Sequence, residues 1–218
     1  MNITQVYLTP DYDTSDNVER VKYQNETTYI QLFVEECLRN NKVDLGAFNR
    51  LVFSEGGDSS KDFNVVGNNA LPVAISNTRS ELDVLKEERD FHNYYIRKYL
   101  EGFKKLDEHY KSTFVSYLEP LLAEKYQSNL SYETQMAAKR IDGHRIQVVG
   151  RYDRKSFKLL VNVYAKKELL KSVPIFECEP DMFIVKYDAY KVEINDLNIV
   201  VINKIREKTL ELEIAEII

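Results

Sequence analysis

Tryptophan is absent from the 218 residues, and cysteine, histidine and glycine are scarce, with two, three and seven copies. Each shortage removes a class of protein. Cys37 and Cys178 are too few for a disulfide framework and form no Cys-x-x-Cys pair, which sets aside small disulfide-rich scaffolds and zinc ribbons. His92, His109 and His144 fall in no His-Glu-x-x-His sequence. The glycines make no Gly-x-Gly-x-x-Gly fingerprint, no phosphate loop closed by Lys-Ser or Lys-Thr, and no Gly-x-Ser-x-Gly elbow. Gly56-Gly57 is flanked by Glu55 and Asp58, whose charges repel an anion. Apolar runs extend a few residues only, against the roughly 20 that span a bilayer, so no membrane segment is expected. The opening MNITQVYLTPDYD lacks a basic start and an apolar stretch, so no secretory leader is expected and the cytoplasm is the expected location.

What is present is an ordinary globular composition, 44% apolar and 30% charged, enough apolar surface for most of the chain to fold. The net charge of −5 conceals blocks of opposite sign. Residues 139–171 carry ten basic and three acidic side chains, a local +7, whereas residues 1–79 carry a local −4 and residues 177–218 a local −5.

Periodicity divides the chain into three regions without a Pro/Gly/Ser-rich linker between them, which reads as one integrated domain over 1–218. In region 1–79, Ile3–Leu8 and Val18–Tyr23 look strand-like. Thr27 or Thr28 is placed to cap a helix whose stripe is Ile30, Phe33, Val34, Cys37 and Leu38, with Gln31, Glu35, Glu36 and Arg39 facing water. Further strands are read at Arg50–Ser54, Phe63–Val66 and Leu71–Ile75, the last after a turn at Gly67-Asn68-Asn69. Region 80–127 reads as helical almost throughout, opened by Ser80 and carrying Ile96, Tyr99, Phe103, Leu106 and Tyr110 on one side. A single helix of that length would outrun the domain, so a break is expected near Asp107–Ser112, with Ser112 capping a second helix that Pro120 kinks or ends. Region 140–218 changes to a period of two: Phe157, Leu159, Val161 and Val163 alternate with Lys158, Leu160, Asn162 and Tyr164. Turns at Asp153-Arg154-Lys155, Pro180-Asp181 and Asn195-Asp196 suggest five to seven antiparallel strands. The expected fold is therefore α+β: an antiparallel C-terminal sheet packed against a long central helical hairpin, with an N-terminal strand–helix unit added to its edge.

Candidate sites are weak by comparison. Glu88 and His92 have a two-ligand spacing on one helix face, but Arg89 occupies the position where a Glu-x-x-His pair needs its acid, so His92 reads as a hydrogen-bonded core histidine. Asp11, Asp13 and Asp16 alternate as calcium ligands do, without the glycine and closing glutamate of that loop. Tyr94 and Lys98 match a Tyr-x-x-x-Lys dehydrogenase spacing with no nucleotide loop beside it, a coincidence in a chain with fifteen tyrosines. Both cysteines read as buried, inert thiols. No catalytic, cofactor or metal site is expected, and no cofactor. By elimination the chain reads as a non-enzymatic protein-binding module, with another protein as partner, in the manner of inhibitors and bacterial toxin-immunity proteins. One alternative is a hydrolase-type enzyme whose site is assembled from scattered acids and His144. Another is nucleic-acid binding through 139–171, with Arg145, Arg151, Arg154, Lys155 and Lys158 on the phosphates and Tyr152, Phe157 and Tyr164 interleaved; the overall acidity disfavours it.

Overall fold

A computed structural model of the chain describes residues 2–64, 67 and 69–217. The protein is α+β and divides into two compact units, residues 1–130 and 131–218. In the first unit, strands β1 (Gln5–Pro10), β2 (Arg50–Glu55) and β3 (Ala70–Ile75) form a parallel sheet in the order β1-β2-β3. Helix α1 (Asn17–Asn40) carries the chain back between β1 and β2, the crossover that parallel pairing requires. Register aligns Val6, Leu51 and Leu71 in one row and Leu8, Phe53 and Val73 in the next, all buried on one face. Rings from α2 (Glu88–Tyr110) cover that face: Phe103 lies 5.0 Å and Tyr99 6.2 Å from Phe53, centroid to centroid. Gly102 permits this approach, because a Cβ there would stand 2.5 Å from the Phe53 ring. Helix α3 (Phe114–Lys125) follows, and Tyr126 at its end packs edge-on against Tyr29 and Phe33 of α1.

Several expectations change here. The N-terminal strands build a sheet of their own instead of extending the antiparallel one. Val18–Tyr23 is the first part of α1, not a strand. The Asp16 carboxylate accepts the Glu19 amide at 2.8 Å and starts the helix eleven residues ahead of Thr27, so Val18 and Val21 are exposed positions on its first turns. Thr27 and Thr28 are helix-interior residues whose hydroxyls donate to the carbonyls of Tyr23 (3.2 Å) and Gln24 (3.0 Å). Along the stripe Ile30, Val34, Cys37 and Leu38 are buried, but Phe33 is half-buried. Gln31 and Glu35, expected in water, are buried as well. Their burial follows from β1 being an edge strand: the Val6 amide donates to Glu35 Oε1 at 3.0 Å, and Gln31 Nε2 donates to the same oxygen at 2.8 Å. Ser80 caps no α-helix; residues Arg79–Val84 form a 3₁₀ turn and α2 begins only at Glu88. The break falls where expected, with Lys111 left-handed at φ 53°. Asp107, not Ser112, supplies the acceptor for α3, taking the amides of Phe114 (2.6 Å) and Val115 (2.9 Å). Pro120 lies within α3 without ending it. Phe63 and Asn64 form no strand; Val65, Val66 and Asn68 lie outside the described residues.

The second unit holds two antiparallel meanders. The first runs β4 (Tyr132–Ile141), β5 (His144–Tyr152), β6 (Phe157–Ala165) and β7 (Glu168–Cys178); the second runs β8 (Lys191–Ile194), β9 (Asn198–Ile202) and β10 (Lys208–Glu213). Six of these strands, β5–β10, fall in the region where five to seven were expected, and β4 lies almost wholly ahead of it; a short helix α4 (Met182–Asp188), capped by Asp181, splits the strands into two sheets. Ile146, Val148, Phe157, Leu159, Val161 and Val163 of the first sheet and Ile199 and Val201 of the second are buried, as the alternation demands. The β4–β5 hairpin turns at Asp142-Gly143, both at positive φ, a two-residue turn matched to strand twist.

His92 is buried, with Nδ1 3.0 Å from the Tyr29 hydroxyl. Burial, aided by Arg89, lowers its pKa to about 4 from 6.5. A histidine depressed in the folded state binds its proton more readily when unfolded, so it stabilises above pH 6.5, and that contribution is lost as pH falls from 6.5 towards 4. Urea unfolding across this range should show a shallower pH slope for His92→Gln than for the parent chain; parallel slopes would assign the acid sensitivity to other groups.

Candidate functional site

The five basic residues proposed for nucleic acid do not converge. Arg145 is the second residue of β5 and Arg151 the last but one, on the order of 20 Å apart along the strand. Between them the same face carries Val149 and Leu160, both buried. Arg151 and Lys158 are cross-strand partners, and the register continues outward to Glu133 on β4 and Glu177 on β7. Both acids are used: Arg151 meets Glu133 at 2.6 Å and Lys158 meets Glu177 at 3.2 Å. Arg154 and Lys155 occupy the β5–β6 turn, which Asp153 closes by accepting the amides of Lys155 and Ser156 at 2.8 Å each. Arg145 lies over the Tyr164 ring at 6.0 Å and donates to Gln135. Elsewhere in the stretch Lys139 pairs with Asp196 at 2.8 Å. Of the interleaved aromatics Tyr152 and Phe157 are buried, leaving Tyr164 alone on the charged face. The local +7 is thus partly cancelled within the sheet and cut in two by an apolar centre.

A cluster that the sequence reading passes over lies in the first unit. Alternation along β2 continues from Leu51 and Phe53 to Glu55, which lands on the core face in register with Pro10 and Ile75 and is fully buried. Its carboxylate accepts the hydroxyls of Tyr23 (2.7 Å) and Tyr94 (2.5 Å) and the Thr78 amide (2.8 Å), with Lys98 Nζ at 3.2 Å. Lys98 also donates to the Ser76 carbonyl at 2.6 Å and its hydroxyl at 3.0 Å, and is 1% exposed. Burial and the adjacent Glu55 raise the pKa of both phenols, which stay protonated and donate. Tyr94 and Lys98 therefore share a purpose: their four-residue spacing puts both on the face of α2 that meets Glu55. The place, at the carboxyl ends of parallel strands, is where α/β sheets hold ligands. Here, however, the carboxylate and ammonium are sealed from solvent and already matched, so the arrangement orders the core and presents no reacting atom.

Other nucleophile candidates are equally quiet. Burial first, then nearby acids, pushes both thiols up to about 11, leaving them in the weakly reactive protonated form. Cys178, expected to be buried, is half-buried and donates to the Glu179 carbonyl at 3.2 Å. Among the described residues, no group of three or more His, Cys, Asp or Glu could hold a metal ion, and no helix is long and apolar enough to cross a membrane.

One surface breaks the usual pattern of burial. Helix α4 buries Val185 but turns Phe183, Ile184 and Tyr187 outward, with Phe183 84% exposed. Tyr190 follows at its end, and the Lys204 amide donates to the Tyr187 carbonyl at 2.8 Å, bringing the β9–β10 turn with exposed Ile205 alongside. Charged residues of both signs neighbour this apolar group in sequence, Glu179, Asp181 and Asp188 on one side of the balance and exposed Lys186, Lys204 and Arg206 on the other. The signal was legible only in part: Pro180-Asp181 reads as a turn, but the run Met182–Val185 lacks the length that separates helix from strand. Comparison of the chain with models of known families, with curated proteins and with solved structures finds no match.

Proposed function

We propose that this chain is a protein-binding module without a reaction of its own, one that blocks its partner in the way inhibitors and bacterial toxin-immunity proteins do, in the cytoplasm. The observation that carries the reading is the outward face of α4. Isolated exposed apolar residues are ordinary, but aromatic and aliphatic side chains gathered on one helix face mark contact surfaces. Tyrosine and phenylalanine are enriched at the centres of interfaces, with charged groups at the rim, and charged residues of both signs neighbour these side chains in sequence here. A partner offering an apolar recess complements this surface. The neutralised rows around Arg151 and Lys158 favour this reading over nucleic acid, and the protonated thiols weigh against a cysteine nucleophile.

A photo-crosslinking amino acid at Phe183, introduced in the cells that make the protein, should yield one dominant protein adduct; the same group at Lys155 should not. Phe183→Asp combined with Tyr187→Asp should abolish that complex while leaving the unfolding midpoint unchanged. Asp188→Lys should act mainly on the association rate and its salt dependence, as rim charges do. Equal adducts at both positions, or a complex indifferent to the α4 variants, would overturn the proposal.

A further inference from the structure

Ten basic residues lie between 139 and 171, and the fold sorts them by whether an acid reaches them. Lys139, Arg151 and Lys158 are in ion pairs, and Arg154 and Lys155 belong to the β5–β6 turn. Lys171 is in register with Val163 and donates from that face to the Ile217 carbonyl at 3.0 Å. Arg140, Arg145, Lys166 and Lys167 remain. All four are exposed, and no carboxylate lies in ion-pair range of any of them among the described residues.

Register gathers these four at one end of the first sheet of the second unit. Arg140, Arg145, Tyr164 and Leu169 are successive cross-strand partners from β4 to β7, a row about 14 Å wide on the face opposite Ile146 and Val163. Lys166 and Lys167 make the two-residue turn from β6 to β7 at the end of that row. The next two rows on the same face hold no charged residue; Glu133 and Glu177 enter only in the row of Arg151 and Lys158. Of the acids in the adjoining turns, Asp142 stands between β4 and β5, and Glu168 is in register with His144 on the opposite face. An extra residue in β7, Leu170, breaks the alternation there, and Leu169 and Leu170 are both exposed.

Two neighbouring aliphatic side chains left in water beside unmatched cations limit what covers this surface. A nucleic acid answers the charge and leaves the leucines wet. The surface of an anionic bilayer answers both, because its headgroups carry negative charge and its acyl boundary takes apolar side chains. Tyr164, half-buried with Arg145 6.0 Å above its ring, suits the headgroup level where tyrosine is enriched.

We propose that this end of the sheet binds the surface of an anionic membrane, with Arg140, Arg145, Lys166 and Lys167 among the headgroups and Leu169 and Leu170 at the acyl boundary. The contact lies on the bilayer and does not cross it. Four basic side chains are few for an anionic leaflet to hold, so the leucines supply the second signal and binding is reversible. The surface stands at the far end of β7 from α4, on the order of 30 Å along the strand, and does not depend on the function proposed above.

The chain has no tryptophan, so Leu170→Trp places a single reporter in the full-length protein. Its emission should move to the blue with vesicles of phosphatidylcholine containing about one-third phosphatidylserine, and not with phosphatidylcholine alone. In co-sedimentation with the anionic vesicles, Lys166→Asn with Lys167→Gln should weaken binding about 25-fold, about fivefold per charge removed. Leu169→Ser with Leu170→Ser should weaken it at least about tenfold. Urea unfolding should be unchanged by either pair, since all four residues are exposed and Asn tolerates the positive φ of position 166. Raising salt from about 0.1 M to about 1 M should also weaken binding, as screening shortens from about 10 Å to about 3 Å. Phe183→Asp with Tyr187→Asp should leave vesicle binding untouched, which distinguishes failure here from failure of the α4 reading. Equal binding to phosphatidylcholine alone, undiminished binding of either double variant, or loss of binding in the α4 variant would overturn the proposal. So would an oligouridylate that displaces the vesicles at equal phosphate concentration, which would return this surface to nucleic acid.

Discussion

Lys98→Met should lower the free energy of unfolding by about 3–5 kcal/mol, the cost of removing one partner from a buried ion pair. Methionine fills much the same volume, so lost packing contributes little. What changes is that Glu55, fully buried, loses the ammonium 3.2 Å away, while the Ser76 carbonyl loses its donor. Glu55→Leu should be at least as damaging for the opposite reason: the Tyr23 and Tyr94 hydroxyls, the Thr78 amide and Lys98 all lose one acceptor together. Apolar replacement of both partners often rescues a buried pair, but here it should not restore the parent stability, because the two phenols and the amide remain unmatched. The double variant should still fall short of the summed single costs by about 0.5–3 kcal/mol, the coupling expected of residues in one network. Urea unfolding of the four proteins decides the matter. A Lys98→Met variant within 1 kcal/mol of the parent, judged against about ±0.5 kcal/mol for an ordinary surface change, would mean that water reaches this centre and that its groups are not locked.

The same cluster shows where sequence reasoning loses sight of structure. Apolar alternation finds Leu51 and Phe53, but a rule built on hydrophobicity stops at Glu55, although its parity places it in the core. The Tyr94–Lys98 spacing is visible and looks accidental until the partner supplied by another element is known. Gln31 and Glu35 mislead for a related reason: the edge strand that needs their acceptor lies a crossover away in sequence. Val18–Tyr23 has the β-branched content of a strand, and only the Asp16 cap, a local hydrogen bond, decides for helix. In the second unit, by contrast, the strands were legible, because two-residue alternation with one buried face is a property of the strand alone. The α4 face was not, since exposure is set by what the rest of the chain leaves uncovered.

In the second unit the largest effect is expected at Phe157, and it should depend on a glycine. Phe157 is fully buried, 4.6 Å from the Tyr152 ring and 6.4 Å from that of Phe176. Phe157→Ala should cost about 3–5 kcal/mol, the usual sum of lost transfer energy and residual cavity for a buried phenylalanine. The ring also lies against Gly150 on the adjoining strand, where a Cβ would come within 2.9 Å of Phe157 Cε2. Gly150→Ala should therefore destabilise the parent by about 1–3 kcal/mol as the ring is displaced, even though alanine is the better strand residue. Once the ring is gone the obstruction disappears. In the Phe157→Ala background the added methyl enters the cavity and the conformational cost of glycine is relieved, so Gly150→Ala should become neutral or stabilising. The predicted observation is a reversal of sign for one substitution in two backgrounds, read by urea unfolding monitored through tyrosine fluorescence. Additive costs would show that Phe157 and Gly150 do not share this contact. The unit that presents the α4 face would then be held together by some other arrangement of its core.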